Sequence, residues 1–562
     1  MQAFDYDMFL SRSTNYFLPW LALTAQLPYA SGDPIPDIMS FFTALGSPML
    51  LTFSLMMTIL NQRWLHRRFR QFKSQFPQSR LLDRVRSASK LLEAAQQVPL
   101  RLRHGDGWLA SLILLDDDEK WEKWWADLKR NLRSTRRKLT VSLVAQMLAA
   151  IAAWILTVIG WLGSAMGNAD EGLSVSSSML WTWLVPVILG WITVGTQNSP
   201  RDIRENLSDP PQPSFAGWNR HDARRKKPFY TAQAEDDLST LGLLGFSIHG
   251  DELHPGPTYN YARIYTWRYT AARLLAYFEA AAAHLAAENA ARETQGRQAT
   301  TTPDASSLAR ACGLPRPSES ELTTYPSFNH HRRRRQGSAQ EGIDSQGIDS
   351  QGIDSRGIDN RGNDSRGNDS RGIDSRGIDG EFYRQVLGAA ATAAAVQWAT
   401  AGSAIVISYL TDVRGLGCRS GGYLLYGVLS TAAFLSLMGS VHCSRQAILR
   451  HREEATTGHG GLSFQFWRAL ALVLRLVGKI LVVGNAVWLM LSSLAELIGL
   501  FDSCWCHGVV FQWGDRAWVA LFKSPSDLEE RASGPWAGGV AMASCTMLFS
   551  YLWFALLCRR SG

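Results

Sequence analysis

Residues 139–165 read LTVSLVAQMLAAIAAWILTVIGWLGSA, without one Asp, Glu, Lys or Arg. A hydrocarbon core about 30 Å thick needs roughly 20 apolar residues of helix, and this stretch exceeds that. Working outward, residues 38–62, 172–200, 385–411, 420–444 and 532–558 are equally free of charge. The remainder is crowded with it, since the 562 residues carry 57 Lys+Arg against 49 Asp+Glu. Mean hydropathy is −0.10 and by itself would suit a soluble protein, but the segregation of charge excludes an ordinary soluble enzyme. The expected fold is all-α: a polytopic transmembrane helical bundle of about seven spans, with cytoplasmic amphipathic helices and a disordered low-complexity loop.

The apolar centres place spans at 38–60, 139–165, 178–197, 386–410, 421–443, 480–501 and 537–557. Residues 464–479 precede the sixth span as an interfacial helix. Arg475 and Lys479 there can snorkel to a headgroup layer and mark a boundary. Residues 1–37 form an external segment. Its uncharged part, 13–32, contains Pro19 and Pro28 and reads as interfacial or re-entrant. No basic residues precede it in the manner of a cleavable signal peptide.

Lys and Arg near span ends stay cytoplasmic. Arg63, Arg67, Arg68, Arg70 and Lys73 follow the first span, and Lys129, Arg130, Arg133, Arg136, Arg137 and Lys138 precede the second. Arg201 and Arg204 follow the third, Arg445, Arg450 and Arg452 the fifth, and Arg559 and Arg560 the seventh. One orientation gathers them all: N-terminus external or lumenal, tail 558–562 cytoplasmic, in a plasma membrane or endomembrane. The short connection with Arg414 and Arg419 must then lie outside. Trp161, Trp181, Trp183, Trp467 and Trp536 sit near span ends, where indole rings collect.

Two loops hold the cytoplasmic mass. In 61–138, Leu81, Leu82, Val85, Leu92 and Ala95 share one helical face opposite Arg80, Arg84, Arg86 and Lys90. Further on, Trp121, Trp124, Trp125, Leu128 and Leu132 form a second stripe. These helices either lie on anionic lipid headgroups, at about 1 kcal/mol per basic residue, or pack on other cytoplasmic helices. In 198–294, an amphipathic helix over 258–294 carries Ile264, Trp267, Ala271, Leu274, Leu275, Phe278, Ala282 and Leu285 as a packing face. Residues 295–385 form a disordered linker. Within it, 341–380 is eight copies of a pentapeptide with Gly second and Asp fourth, too poor in apolar groups to offset chain entropy. The basic run Arg332 to Arg335 reads as solvated charge, not a nucleic-acid patch.

Chemistry is sparse. His249-Gly250-Asp251-Glu252-Leu253-His254 is the densest set of possible metal ligands, but its spacing fits no metal-site pattern and reads as a polar turn. No phosphate loop, nucleophile elbow or His-Glu-x-x-His occurs, so neither a cofactor nor an enzymatic activity is expected. Cys418 lies between spans four and five, and Cys504 and Cys506 follow span six. A bridge from Cys418 to either would join two external loops. Gln146, Gln397 and Asn485 are polar at depth and read as interhelical hydrogen-bonding groups.

Seven spans invite comparison with receptors coupled to G proteins, but their Asp-Arg-Tyr and Asn-Pro-x-x-Tyr signatures are missing. The segments Gly195-Thr196-Gln197-Asn198-Ser199, Tyr265-Thr266-Trp267-Arg268 and Asp502-Ser503-Cys504-Trp505-Cys506 carry a different likeness. Through them the chain resembles multi-pass membrane proteins of filamentous fungi, a group without an assigned activity. The resemblance implies a membrane location only. The functional expectation is a non-enzymatic membrane scaffold or sensor whose cytoplasmic face binds protein partners, with a transporter or channel as the alternative. Sequons at Asn206, Asn363 and Asn368 test the orientation. In microsomes they should stay unglycosylated and external protease should cut loop 198–385; a glycosylated, protected loop would reverse the orientation.

Overall fold

A backbone in hydrocarbon must satisfy its own N–H and C=O groups, and the described parts of the uncharged windows are mainly helical. The computed structural model describes residues 6–27, 34–77, 79, 81–98, 100–102, 119–134, 140–163, 169–195, 229–231, 250–254, 256–295, 378–411, 415–457, 462–502, 506, 510–511 and 525–559. The pentapeptide tract as far as 377, the basic run, the three sequons, His249 and Cys504 lie outside these residues.

Helices α1 (Tyr6–Arg12) and α2 (Leu18–Thr24) are joined by a π-helical turn, Ser13–Phe17. Pro19 has no N–H and crowds the preceding turn, which accounts for the wide turn before it. Then come α3 (Pro34–Gly46), α4 (Pro48–Gln75), α5 (Leu82–Ala94), α6 (Glu119–Ser134), α7 (Val141–Gly163), α8 (Ala169–Met179) and α9 (Leu184–Val194). After them run α10 (Asn260–Gln295), α11 (Gly380–Thr411), α12 (Cys418–Thr457), α13 (Leu462–Leu497) and α14 (Pro525–Arg559). One antiparallel ribbon, Leu100–Leu102 with Phe229–Thr231, links the two long loops. Among the described residues six segments are long and apolar enough to cross a membrane, α7, α8 with α9, α11, α12, α13 and α14, and the bent pair of α3 and α4 makes a seventh if it counts as one span. The interfacial helix 464–479 and the span 480–501 expected from sequence are one continuous helix, α13.

Two ends of the bundle are fixed by charge. At one, Cys418 is disulfide-bonded to Cys506 with Cα atoms 5.5 Å apart, one of the two pairings the sequence leaves open. Beside it Arg12 and Arg419 grip Asp502 at 2.7 and 2.6 Å, and Tyr423 donates to Glu496 at 3.3 Å. At the other end Lys479 pairs with Asp251 at 2.5 Å. Lys479 and Glu496 are seventeen residues apart on α13, about 25 Å of helix. That is close to the thickness of a hydrocarbon core. Arg475 and Lys479 therefore stand at a boundary, but not as lipid-facing snorkels: both are buried in protein, and Arg475 donates to Ser444 at 2.8 Å.

Neither of the first two apolar segments is a single straight helix. Arg12 lies at the Cys418 end, while Gln26 bonds Gln146, near the opposite end of the bundle, where α7 begins. Residues 12–26 thus run lengthwise along the bundle for about 21 Å. The expected span at 38–60 is not one helix. It breaks at Ser47, and α3 and α4 diverge by 105°. Both arms return to the Asp251 end, because Tyr259 faces Ser40 and Thr43 of α3 while the neighbouring Asn260 bonds Thr58 of α4 at 2.8 Å. The arms of this bent pair enclose residues 256–260 on the Asp251 side, and its apex stands level with Gln397, Tyr426 and Asn485.

A second core lies beyond the Asp251 end. Trp64, Leu65 and Phe72 of α4 meet Val85, Leu91 and Leu92 of α5, Trp124, Trp125 and Leu128 of α6, and Trp267, Leu274, Leu275 and Phe278 of α10. The described apolar residues of α5, α6 and α10 pack on one another here. Trp267 Nε1 donates to Leu92 O at 3.0 Å. Arg268 is buried with its guanidinium 3.7 Å from the centre of the Trp64 ring, and burial pushes its pKa down to about 9.

The closest backbone approach is at the apex, where a Cβ on Gly46 would stand 1.9 Å from Val482 O. Gly46→Ala should cost at least about 2 kcal/mol, through forced separation of α3 from α13. Gly160→Ala on α7 meets nothing within 4 Å and should be neutral or slightly stabilising. Thermal unfolding of the detergent-solubilised protein separates the two.

Candidate functional site: a helix break at mid-depth

Interrupting a helix strands carbonyls on one side and N–H groups on the other, and in a bilayer each costs several kcal/mol if left bare. The Gly46-Ser47-Pro48 sequence does this deliberately. Pro48 opens α4, where its missing N–H does no harm, and the Ser47 side chain caps the helix by accepting from Leu50 N at 3.3 Å. The other groups are met from three neighbouring helices. Tyr426 on α12 donates its hydroxyl to Leu45 O at 2.9 Å. Asn485 on α13 donates to Gly46 O at 2.7 Å and to Tyr426 O at 3.0 Å. Gln397 on α11 accepts from Met49 N at 3.1 Å.

Gln397 also donates to Gly427 O at 2.9 Å and to Thr431 Oγ1 at 3.1 Å, and it accepts from Ser430 Oγ at 2.5 Å. Ser430 and Ser47 hydroxyls lie 3.3 Å apart. The result is a buried polar knot of neutral groups. Asn485 Oδ1 is buried in it with no hydrogen-bond partner among the described residues. Gln397 and Asn485 belong to the polar-at-depth set expected from sequence. Gln146 does not reach the knot and pairs instead with Gln26 at the bundle's edge.

Below the apex, towards the Asp251 end, the space between the two arms is filled by residues 256–260. The turn Pro257–Tyr259 and the first residue of α10 form a wedge. Asn260 donates to Ser54 O at 3.2 Å and to Thr58 Oγ1 on α4, and Tyr259 lies against Ser40 and Thr43 of α3. Gln97 supports it from the side, donating to Thr58 Oγ1 at 2.9 Å and accepting from Gly256 N at 3.0 Å. Arg263 closes the turn from beneath, donating to the carbonyls of His254, Gly256 and Gln97 at 2.5, 2.7 and 3.0 Å.

The segment anticipated as a polar turn, 249–254, is therefore more than a surface loop. Its described part carries a 3₁₀ turn, Gly250–Leu253, that inserts Asp251 against α13. Asp251 is buried, bonded to Lys479 and accepting from the Tyr261 hydroxyl at 2.5 Å. Burial alone would push its carboxyl up, but Lys479, Arg475 and His254 outweigh this and hold it at about 2. It stays ionised across the physiological range. Burial, and next the Asp251 charge, push the Tyr261 phenol well above its usual range. Among the described residues no three His, Cys, Asp or Glu side chains converge as a metal site.

What the sequence analysis missed was the break itself and its partner Tyr426. Gly-Ser-Pro inside an apolar run was the available signal. No protein-family model, curated protein or solved structure matches this chain.

Asn485→Leu removes the donor to Gly46 O and should lower stability by about 2 kcal/mol. Gln146→Leu, at the edge, should cost under about 1 kcal/mol. Melting curves in detergent read the contrast; equal losses would deny the apex its structural weight.

Proposed function

We propose that this protein moves a small polar solute or ion across a membrane, with the break between α3 and α4 as the station at mid-depth. The observation that carries the reading is the bent pair itself. Irregular backbone at membrane depth survives only where protein buries it or a water-filled path runs past it. Half-helices that meet inside a bundle are a recurring device for holding solutes and ions.

The oxygen atoms gathered there set the class of solute. Leu45 O and Gly46 O stand at the carbonyl end of α3, the negative end of its dipole, and Ser47, Ser430, Thr431, Gln397 and Asn485 add neutral oxygens. No carboxylate is among them. Neutral oxygens suit a monovalent cation or an uncharged hydrogen-bonding solute, whereas a divalent ion calls for carboxylates. The reading is non-enzymatic, in an integral membrane protein with the Asp251 end cytoplasmic. That orientation rests on the basic clusters after α4 and α12, among them Arg63, Arg67, Arg70, Arg445 and Arg450. Because the described apolar residues of α5 and α6 pack in the second core, attraction to anionic lipid would fall to their basic faces.

A second reading, a scaffold or sensor that binds cytoplasmic proteins, is favoured by that second core, which four helices from two separate loops build together with its own aromatic centre. Flux separates the two. In proteoliposomes of the full-length chain, radiolabelled rubidium, sodium or glycerol should enter faster than into protein-free vesicles, and Asn485→Leu should abolish the excess. If none of the three probes crosses faster than the protein-free leak, the transport reading fails and the scaffold takes its place.

A further inference from the structure

The wedge is built like a moving part. It lies between the two arms of the bent pair, touching α3 through Tyr259 and α4 through Asn260, and so covers the break from the Asp251 side. It belongs to neither arm, arriving instead from the cytoplasmic loop more than 150 residues later in the chain. Glycines with positive φ stand on both sides of the bend that delivers it: Gly250 at 53° and Gly256 at 132°, conformations that other residues rarely adopt. A Cβ on Gly250 would lie 2.1 Å from the Arg475 guanidinium, so the strand of chain is pressed directly on α13.

What holds it there is electrostatic. Asp251 lies just after the first glycine and reaches across to Lys479 at 2.5 Å, a charge pair between a segment outside the spans and a span. What could withdraw it is mechanical. Asn260, the tip of the wedge, is also the first residue of α10, and α10 runs without interruption into the second core, burying Trp267, Leu274 and Phe278 there. A shift of that core along α10 would pull Tyr259 and Asn260 from between the arms.

We infer that residues Gly250–Arg263 are a cytoplasmic gate over the mid-depth break, latched by the Asp251–Lys479 pair and operated through α10 by the second core. What the gate admits rests on the transport reading above; its opening can be measured without it. Because buried charge pairs are strongly destabilised when one partner is lost, the latch is the element whose removal should tip the balance towards the open arrangement.

The test uses the full-length chain with Cys312, Cys443, Cys504, Cys545 and Cys558 replaced by alanine and a reporter, Ser47→Cys, at the apex. A membrane-impermeant thiol reagent is applied from the Asp251 end. With the latch intact the reporter should react slowly; with Asp251→Asn it should react faster by about a hundredfold, the order expected for a lost buried pair. A second variant keeps the latch and needs no destabilised protein: Thr58→Cys with Asn260→Cys, oxidised to tie the wedge to α4. The tie should suppress labelling at position 47, read by peptide mapping so that the thiols released at positions 58 and 260 are not counted, and also flux, read in a second protein that keeps Ser47. Reductant, removed before labelling, should restore both, with the protein lacking the tie treated identically to control for Cys418–Cys506. Reporter labelling indifferent to both Asp251→Asn and the tie overturns the gate. Flux that ignores both also overturns it, while leaving the transport reading intact. Labelling that responds to both with no flux of any probe upholds the gate and sinks the transport reading.

Discussion

The structure is organised around a debt of hydrogen bonds at Gly46-Ser47-Pro48. Breaking a helix inside hydrocarbon leaves polar backbone that water cannot reach, and each bare group costs more than most side-chain contacts return. Three different helices settle it, each with one residue: Gln397 from α11, Tyr426 from α12 and Asn485 from α13. Those residues must stand at one height, and that requirement fixes the relative register of three spans. The contact between Gly46 and Val482 fixes how closely α3 approaches α13 as well. Packing of Ala389 and Ala393, both fully buried on α11, then brings the remaining helices to their distances.

Charge is arranged in two layers about that neutral centre. Arg12, Arg419, Glu496 and Asp502 form one layer, and Asp251, Lys479 and Arg475 the other. Each layer joins elements distant in sequence: the N-terminal helix to α12 and α13 at the Cys418 end, and the loop between α9 and α10 to α13 at the other. Taking buried charges out of water offsets much of their mutual attraction, so these pairs act more as locators of the helix ends than as a net source of stability. The second core hangs from the lower layer through α4 and α10. Both helices pass from one core into the other, and movement in either core is therefore felt in its neighbour.

Composition made the class of fold legible, because exclusion of charge over 25 residues or more has few other causes. Helical periodicity made the packing faces of α5, α6 and α10 legible, and spacing singled out Gln397 and Asn485. The local roles were harder. Residues 38–60 are more apolar than 13–27, and hydropathy alone gives no sign of the bend at Ser47. Hydropathy measures the solvent a residue prefers and not the partner it finds: Arg12 and Gln26 are tolerated because Asp502 and Gln146 receive them. The same reasoning explains Arg475 and Lys479. Alone on a helix they would seek headgroups; Asp251, more than 220 residues earlier in the chain, gives them another answer. A single sequence shows the donor and the acceptor but not that they meet.

The hydrogen bonds at the break also have an order in time. Those made to α11, α12 and α13 span 348, 381 and 439 residues of chain. At about 5–20 residues per second of synthesis, α3 and α4 wait on the order of tens of seconds before their last partner exists. During that interval their exposed carbonyls cannot rest in lipid. The nascent pair must stay at the interface, or in the keeping of the insertion machinery, and sink to mid-depth only when α13 arrives. The earliest apolar hairpin to be made is thus among the last to be installed, and the long loop between α9 and α11 lengthens the wait.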